Sequence, residues 1–290
     1  ETFSALIDIS PAAKLTDFGK QVVGQSERKN LTKLNYQTLL NNIERFRKGS
    51  LITDIDYQFL VSYDKWLRES GIAHNTRISR LRLLRALLNE AKRRDIIHIN
   101  PFDRFRIQQM VSKKGFLTIE QVHKLEKLVL KGQEDKIRDA FLIGCYTGLR
   151  FSDVITLRNE HINDGWLTKK MAKTGFIVEL PISELFGGKM MQLIEKYGGN
   201  IERVTKSLGS NSAVNKTLRS ILDRIKADPK ITFHSSRHTF ATLLGQSGVQ
   251  LTTIQKLLGH QKLQTTQIYS EVDRKAITND LRKGRKRTKQ

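Results

Sequence analysis

Cysteine is almost missing from this chain of 290 residues: Cys145 stands alone, so neither an intramolecular disulfide framework nor a cysteine-rich zinc site can be built. It lies in the apolar run 140–146, where a thiol packs as an inert group rather than serving as a nucleophile. No apolar run approaches about 18 residues, which excludes a membrane-spanning helix, and no amphipathic anchor is present. A glycine-rich loop ending in Lys-Ser or Lys-Thr is also missing, which removes support for NTP-driven chemistry. Two-metal nucleases need a local carboxylate cluster, and none occurs. His234 and His238 stand four apart, but no glutamate follows the first and no third ligand lies near, so no metal site is expected. No signal peptide precedes Glu1, which points to the cytoplasm. The chain does not begin with methionine, so residues 1–20 read as the remnant of a trimmed domain.

Acidic residues are scarce relative to basic ones, 29 against 51, giving a formal charge of +22. Self-repulsion on that scale destabilises a compact fold, so a polyanionic partner is expected, and nucleic acid leads. The length suits two domains, each able to hold its own core. Leu34, Leu39, Leu40, Ile43 and Phe46 form one apolar stripe that Gly49 stops. A second helix, capped within 53–56, turns Phe59, Leu60, Tyr63 and Leu67 inward and ends at Gly71. A third is expected over 75–94, with Leu81, Leu84, Leu87, Leu88 and Ala91 on one face. Between Arg77 and Arg94 it carries seven basic residues and one acid, Glu90. Arg82, Arg85, Lys92 and Arg93 share an arc of about 100°, and with Arg77 and Arg80 they make a candidate phosphate-contacting surface.

Asn100-Pro101 breaks the helical pattern ahead of a basic linker around 113–115, and the domain boundary is expected at about 107–115. Residues 21–110 therefore read as an all-helical bundle. The second domain, 115–281, opens on a capping-box spacing, Thr118 to Gln121, and continues in a helix to about 130. A buried helix is expected over 136–147. Strands at 162–167 and 176–180 flank a turn over 169–175, giving a small antiparallel sheet. Helices follow at 189–197, 212–226, 236–247, 252–258 and from 265, with a basic tail at 282–290.

Metal-free phosphoryl transfer relies on positioning and on stabilising charge over non-bridging oxygens. Arginine suits that task, because its planar fork can hold phosphate through two hydrogen bonds. Thr147-Gly148-Leu149-Arg150 places an arginine after a glycine turn at the end of the buried helix. His234 and Arg237 lie three apart at the start of another helix and share a face. His260 follows Leu258-Gly259, and Tyr269 lies nine residues beyond it.

In that order, with Ser152-Asp153-Val154 after the first arginine, these motifs resemble the tyrosine recombinase (phage integrase) family. The likeness spans about 115–280, and the preceding bundle resembles that family's core-site-binding domain. The fold so implied is mainly α, an N-terminal helical bundle plus an α+β catalytic domain with a small antiparallel sheet. The resemblance also implies roles. Arg150 and Arg237 would hold the scissile phosphate, while His234 and His260 would bond its oxygens and assist proton movement. Tyr269 would be the nucleophile, forming a 3′-phosphotyrosyl bond and releasing a 5′-hydroxyl with no cofactor. The general acid would be a lysine in the hairpin turn; Lys173 is the first choice, with Lys169 and Lys170 as competitors. Asp153 stands where the family often has glutamate and would orient a neighbouring catalytic group.

The implied partners are double-stranded DNA, gripped by both domains, and three further copies of the chain in a synaptic tetramer. Accessory DNA-bending proteins come with the same resemblance, as does a nucleoid setting in a bacterial cytoplasm. The helix after Tyr269, with Val272, Ala276, Ile277 and Leu281 at helical spacing, is expected to dock on a neighbouring protomer. The trimmed 1–20 region would then belong to an arm-site-binding domain. A type IB topoisomerase, or a non-catalytic DNA-binding protein, is the rival reading.

Overall fold

In a computed structural model the residues described are 12–108 and 115–259. The chain divides into two compact units, residues 1–112 and 113–290.

Among the described residues four α-helices build the first unit: α1 (Leu15–Gly24), α2 (Asn30–Phe46), α3 (Tyr57–Glu69) and α4 (His74–Arg93). Each presents one apolar stripe at helical spacing, and the stripes meet in a core that includes Leu15, Phe18, Leu39, Ile43, Phe59, Tyr63, Leu84 and Leu88. An aromatic group closes one end. The Phe46 ring meets Phe59 edge-on at 5.3 Å, and Tyr63 stacks on Trp66 at 6.1 Å. Leu34, expected in the α2 stripe, is 61% exposed. The buried set is Tyr36, Leu39, Leu40 and Ile43, a spacing of three, four and seven from Tyr36, which leaves Leu34 two residues out of phase.

The cap of α3 lies at the end of the expected stretch. Residues Ile52–Asp54 form a short 3₁₀ turn, and the Asp56 carboxylate accepts the Phe59 amide at 2.7 Å. The N-terminal boundary also moves. Residues 15–20 were expected to lie outside the bundle, but Leu15 is fully buried, Phe18 is 1% exposed, and Lys14 pairs with Leu51. An amphipathic first helix supplies part of this core, so it cannot be trimmed without exposing it.

The second unit is organised on α6 (Gly132–Thr147), whose residues 137–147 are all buried. A helical stretch buried on every side must be surrounded. Here α8 (Lys189–Lys196), α9 (Glu202–Thr205), α10 (Asn211–Asp223) and α11 (Ser235–Gln246) surround it, with α5 (Ile119–Lys127) at its side. The expected capping box is formed: Thr118 Oγ1 accepts the Gln121 amide at 3.2 Å, and Gln121 Oε1 accepts the Thr118 amide at 3.1 Å. The helix ends at Lys127 rather than near 130: Leu128 is extended, and its carbonyl accepts from the Arg138 guanidinium. The fold is completed by α7 (Phe151–Val154), α12 (Leu251–Leu258) and a three-stranded antiparallel sheet.

That sheet comprises β1 (Ile162–Asn163), β2 (Trp166–Lys170) and β3 (Ile177–Pro181), in the order β1-β2-β3. The run 162–167, expected as one strand, is a hairpin of two. Asp164 and Gly165 adopt φ of 45° and 75°, the mirror-image turn that an Asp-Gly pair favours. In consequence β2 extends through Lys169 and Lys170, which leaves the second turn to residues 171–176.

Asp56→Ala is expected to destabilise the first unit by about 1 kcal/mol, read as a lower urea midpoint at unchanged slope. An unshifted midpoint would show that α3 starts without this cap.

Candidate active site

The turn after α6 is the first component. Gly148 ends the helix in the left-handed region at φ 67°, its amide bonded to the Gly144 carbonyl at 2.9 Å. A side chain there would be strained and crowded: a Cβ would fall 2.7 Å from Phe240 Cδ1 and 2.8 Å from Leu258 Cδ2. The turn reverses the chain so that Arg150 becomes the residue preceding α7. Arg150 is half-buried, and its Nη1 is buried without a hydrogen-bond partner among the described residues. A buried guanidinium nitrogen without an acceptor is costly, and an incoming anion would satisfy it.

The second component is Arg237, on α11 and 2% exposed. Its Nη1 donates to the Gly148 carbonyl at 2.7 Å and its Nη2 to the Leu258 carbonyl at 2.5 Å. One planar fork thus joins the Thr147-to-Arg150 turn, α11 and the end of α12. Small residues permit the approach of α11 to α6: a Cβ on Gly144 would lie 2.9 Å from Ser236 Cβ. His234 stands immediately before α11 and is exposed, its ring 5.0 Å from that of buried His238 in edge-on contact.

The third component closes the ring. At the end of α12 Gly259 takes φ 61°, with Val178 Cγ1 of β3 only 2.8 Å from where its Cβ would be. The chain is thereby delivered beside the hairpin one residue before His260. Both His260 and Tyr269, and the helix expected after Tyr269, lie outside the described residues.

The hairpin turn is the fourth component. Met171 donates to the Phe176 carbonyl at 2.7 Å and Gly175 to the Met171 carbonyl at 2.8 Å, which leaves Lys173 on an exposed tip. Asp153, fully buried on α7, accepts the Ala172 amide at 2.8 Å. The residue three past Arg150 is therefore bound to the residue before Lys173. The competing lysines are placed differently. Lys170 lies within β2, while Lys169 is 6% exposed and its amine donates to the Thr156 carbonyl at 2.9 Å. Burial depresses the Lys169 ammonium, and Asp153 opposes that shift. Neither the Asp-Gly turn nor the Lys169 contact was anticipated. The Asp164-Gly165 dipeptide was a visible signal for the first; nothing local pointed to the second.

The expected basic surface of α4 is not a single set. Arg77 and Arg80 fall in the angular range of the leucine face. Arg77 is mostly buried, with its Nε 3.4 Å from Asp64 and its Nη2 3.0 Å from His74 Nδ1, and Arg80 is half-buried. Lys92 stands 3.7 Å from Asp103, and Arg93 lies 2.5 Å from Glu90. Arg82 and Arg85 are exposed and form no ion pair among the described residues. As a correction, Arg77 and Arg80 belong to the inner side of this helix. Among the described residues no group of three or more His, Cys, Asp or Glu could hold a metal ion, and no helix is long and apolar enough to cross a membrane.

Comparison with known proteins bears on both units. Residues 115–276 match the model of the phage integrase family, and residues 14–107 match the phage integrase SAM-like domain. Tyrosine recombinase XerC of Oceanobacillus iheyensis is 27% identical over 242 residues, 77% of this chain and 78% of that protein. Tyrosine recombinase XerA of Pyrococcus furiosus is 34% identical over 170 residues, 56% of this chain and 58% of that protein. Among solved structures, the Tn1549 transposon integrase with transposon right end DNA superposes with a TM-score of 0.74 at 19% identity, covering 93% of this chain and 99% of that one. A lambda integrase tetramer bound to a Holliday junction gives 0.72 at 20% identity, covering 88% and 76%. These likenesses establish the fold: mainly α, with a helical N-terminal unit and a small antiparallel sheet.

Gly148→Ala is expected to cost about 2–4 kcal/mol, from backbone strain plus overpacking against Phe240 and Leu258. Urea unfolding of the second unit measures it; a loss under about 0.5 kcal/mol would show that the turn relaxes freely.

Proposed function

The chain belongs to the phage integrase family, and from that premise we propose that it is a site-specific DNA recombinase acting through a 3′-phosphotyrosyl intermediate. The observation that carries this reading is the junction at Arg237, which brings the Gly148 turn and the end of α12 to one guanidinium. Arg150, with a buried nitrogen that has no acceptor among the described residues, faces the same task of holding a phosphate.

Tyr269 attacks the scissile phosphorus, the bond from phosphorus to the 5′-oxygen breaks, and the strand is held on the tyrosine. Arg150 and Arg237 stabilise charge on the non-bridging oxygens, with His234 and His260 as hydrogen-bond donors. Lys173 gives its proton to the leaving 5′-oxygen. Its place on an exposed turn favours it over Lys169, whose amine is engaged, and Lys170, which lies within the strand. Asp153 holds that turn through the Ala172 amide. Rejoining to a second 5′-hydroxyl reverses the steps and needs no nucleotide, because the covalent bond retains the phosphodiester energy.

The natural partner is duplex DNA in a synaptic tetramer. The net charge of +22 and the tetrameric lambda integrase support that assembly. On the first unit, Arg82 and Arg85 are the strongest candidates for phosphate contacts, with Lys92 and Arg93 beside them. Integration or excision of a mobile element is the proposed task, and likeness to a transposon integrase supports it.

A nicked suicide duplex carrying the core site tests the chemistry. The chain should form a covalent 3′-adduct that Tyr269→Phe abolishes. Arg237→Ala should lose cleavage by at least about 100-fold while retaining much of its DNA binding. An adduct surviving in Tyr269→Phe would remove that residue as nucleophile. Relaxation of a plasmid lacking the core site would favour a topoisomerase instead.

A further inference from the structure

Lys169 is a buried cation with an unexplained placement. It sits on β2 with 6% exposure, opposite Val178 of β3, its side chain directed to the inner face of the hairpin. A methionine or leucine would fill the same space without desolvating a charge. The amine instead donates to the Thr156 carbonyl at 2.9 Å, just past the end of α7. Two neighbouring carbonyls are already used: Thr156 Oγ1 donates to Ser152 at 2.9 Å and to Asp153 at 3.2 Å. The charged and titratable groups around the ammonium include Asp153 on α7 and Arg158, Glu160 and His161 in the segment before β1. Asp153 is fully buried, and its Oδ2 lacks a hydrogen-bond partner among the described residues.

Two ties therefore run from the segment after Arg150 to the hairpin. Asp153 holds the Ala172 amide, one residue before Lys173, and Lys169 holds the Thr156 carbonyl, four residues before it. The Lys169 tie adds a second hold on the hairpin, three residues along the chain from the Ala172 amide. Two such holds fix its direction. The second also places a positive charge near the buried Asp153 carboxylate.

We propose that Lys169 is a positioning residue for strand cleavage, its ammonium seated on the Thr156 carbonyl beside Asp153 so that the turn presents Lys173 in fixed register with Arg150. This rests on the reading of Lys173 as the general acid. In that step the bond from phosphorus to O5′ breaks, and O5′ takes its proton from Lys173 Nζ. A duplex with sulfur in place of that bridging oxygen needs no such donor, since the sulfur departs as a thiolate.

Lys169→Met keeps the stem and removes the ammonium. On the ordinary oxygen substrate its single-turnover cleavage should slow by about 10- to 100-fold. On the 5′-phosphorothiolate substrate it should come within about threefold of wild type, with DNA binding unchanged. Lys169→Gln, which retains a neutral donor, should show the same pattern more weakly. The double variant Lys169→Met/Lys173→Ala should be no slower than Lys173→Ala alone. Equal losses on both substrates, or an additive loss in the double variant, would overturn the proposal and leave Lys169 as a packing residue; so would undiminished cleavage of the oxygen substrate. Two controls keep its failure distinct from that of the underlying reading. No adduct from the wild-type chain would count against recombinase chemistry itself, and no sulfur rescue in Lys173→Ala would remove Lys173 as the acid.

Discussion

The candidate active site depends on one guanidinium. Arg237 could have faced solvent on α11, but it is buried and spends two donors on main-chain carbonyls from the turn after α6 and the end of α12. Hydrogen bonds from a charged donor are each worth about 1.5–3 kcal/mol. Their larger consequence is geometric, because segments separated by 89 and 21 residues in sequence meet at one rigid plane. The two carbonyls fix the plane in which the guanidinium lies.

This junction explains the surrounding packing. The Gly148 carbonyl reaches Arg237 only because the turn takes a left-handed conformation, tight against Phe240 and Leu258. Gly144 lets α11 lie close to α6, and Gly259 lets α12 end against Val178. Three glycines therefore sit where the main chain packs directly against neighbouring side chains. The buried stretch 137–147 of α6 is the rigid reference for these contacts, since a packed interior transmits displacement rather than absorbing it.

Much of this was legible in the residues. The stripes of α3 and α4, the capping box at Thr118 and the buried α6 follow from periodicity and cap chemistry, which are local signals. The order of Arg150, His234, Arg237, His260 and Tyr269 made the family recognisable. Features decided by tertiary context were not readable in the same way. Leu34 lost its place in the core because α2 meets its neighbours through the Tyr36 side. Arg77 and Arg80 look like part of a basic surface in composition, but their helical phase is that of the leucines, and Asp64 was available to pair with Arg77. The Asp164-Gly165 turn was visible locally, yet hydrophobic runs on both sides made one strand seem sufficient. Lys169 had no sequence signal, because its partner is a main-chain carbonyl 13 residues earlier.

The same choice of partner recurs on both sides of the site. Arg237 binds carbonyls, Asp153 binds an amide, and Lys169 binds a carbonyl. Side chains anchored to main chain inherit the rigidity of helices and turns, whereas two long side chains holding one another must each be fixed at an entropic cost. The groups that would touch phosphate are set on such anchors: Arg150 directly before the α7 helix, and Lys173 one residue after the bound Ala172 amide. A site built this way tolerates change on its surface far better than change in the residues that hold its turns. On the proposed reading the sensitive positions are Gly148, Asp153 and Lys169 as much as the groups assigned to the reaction, since they hold the turns on which those groups sit.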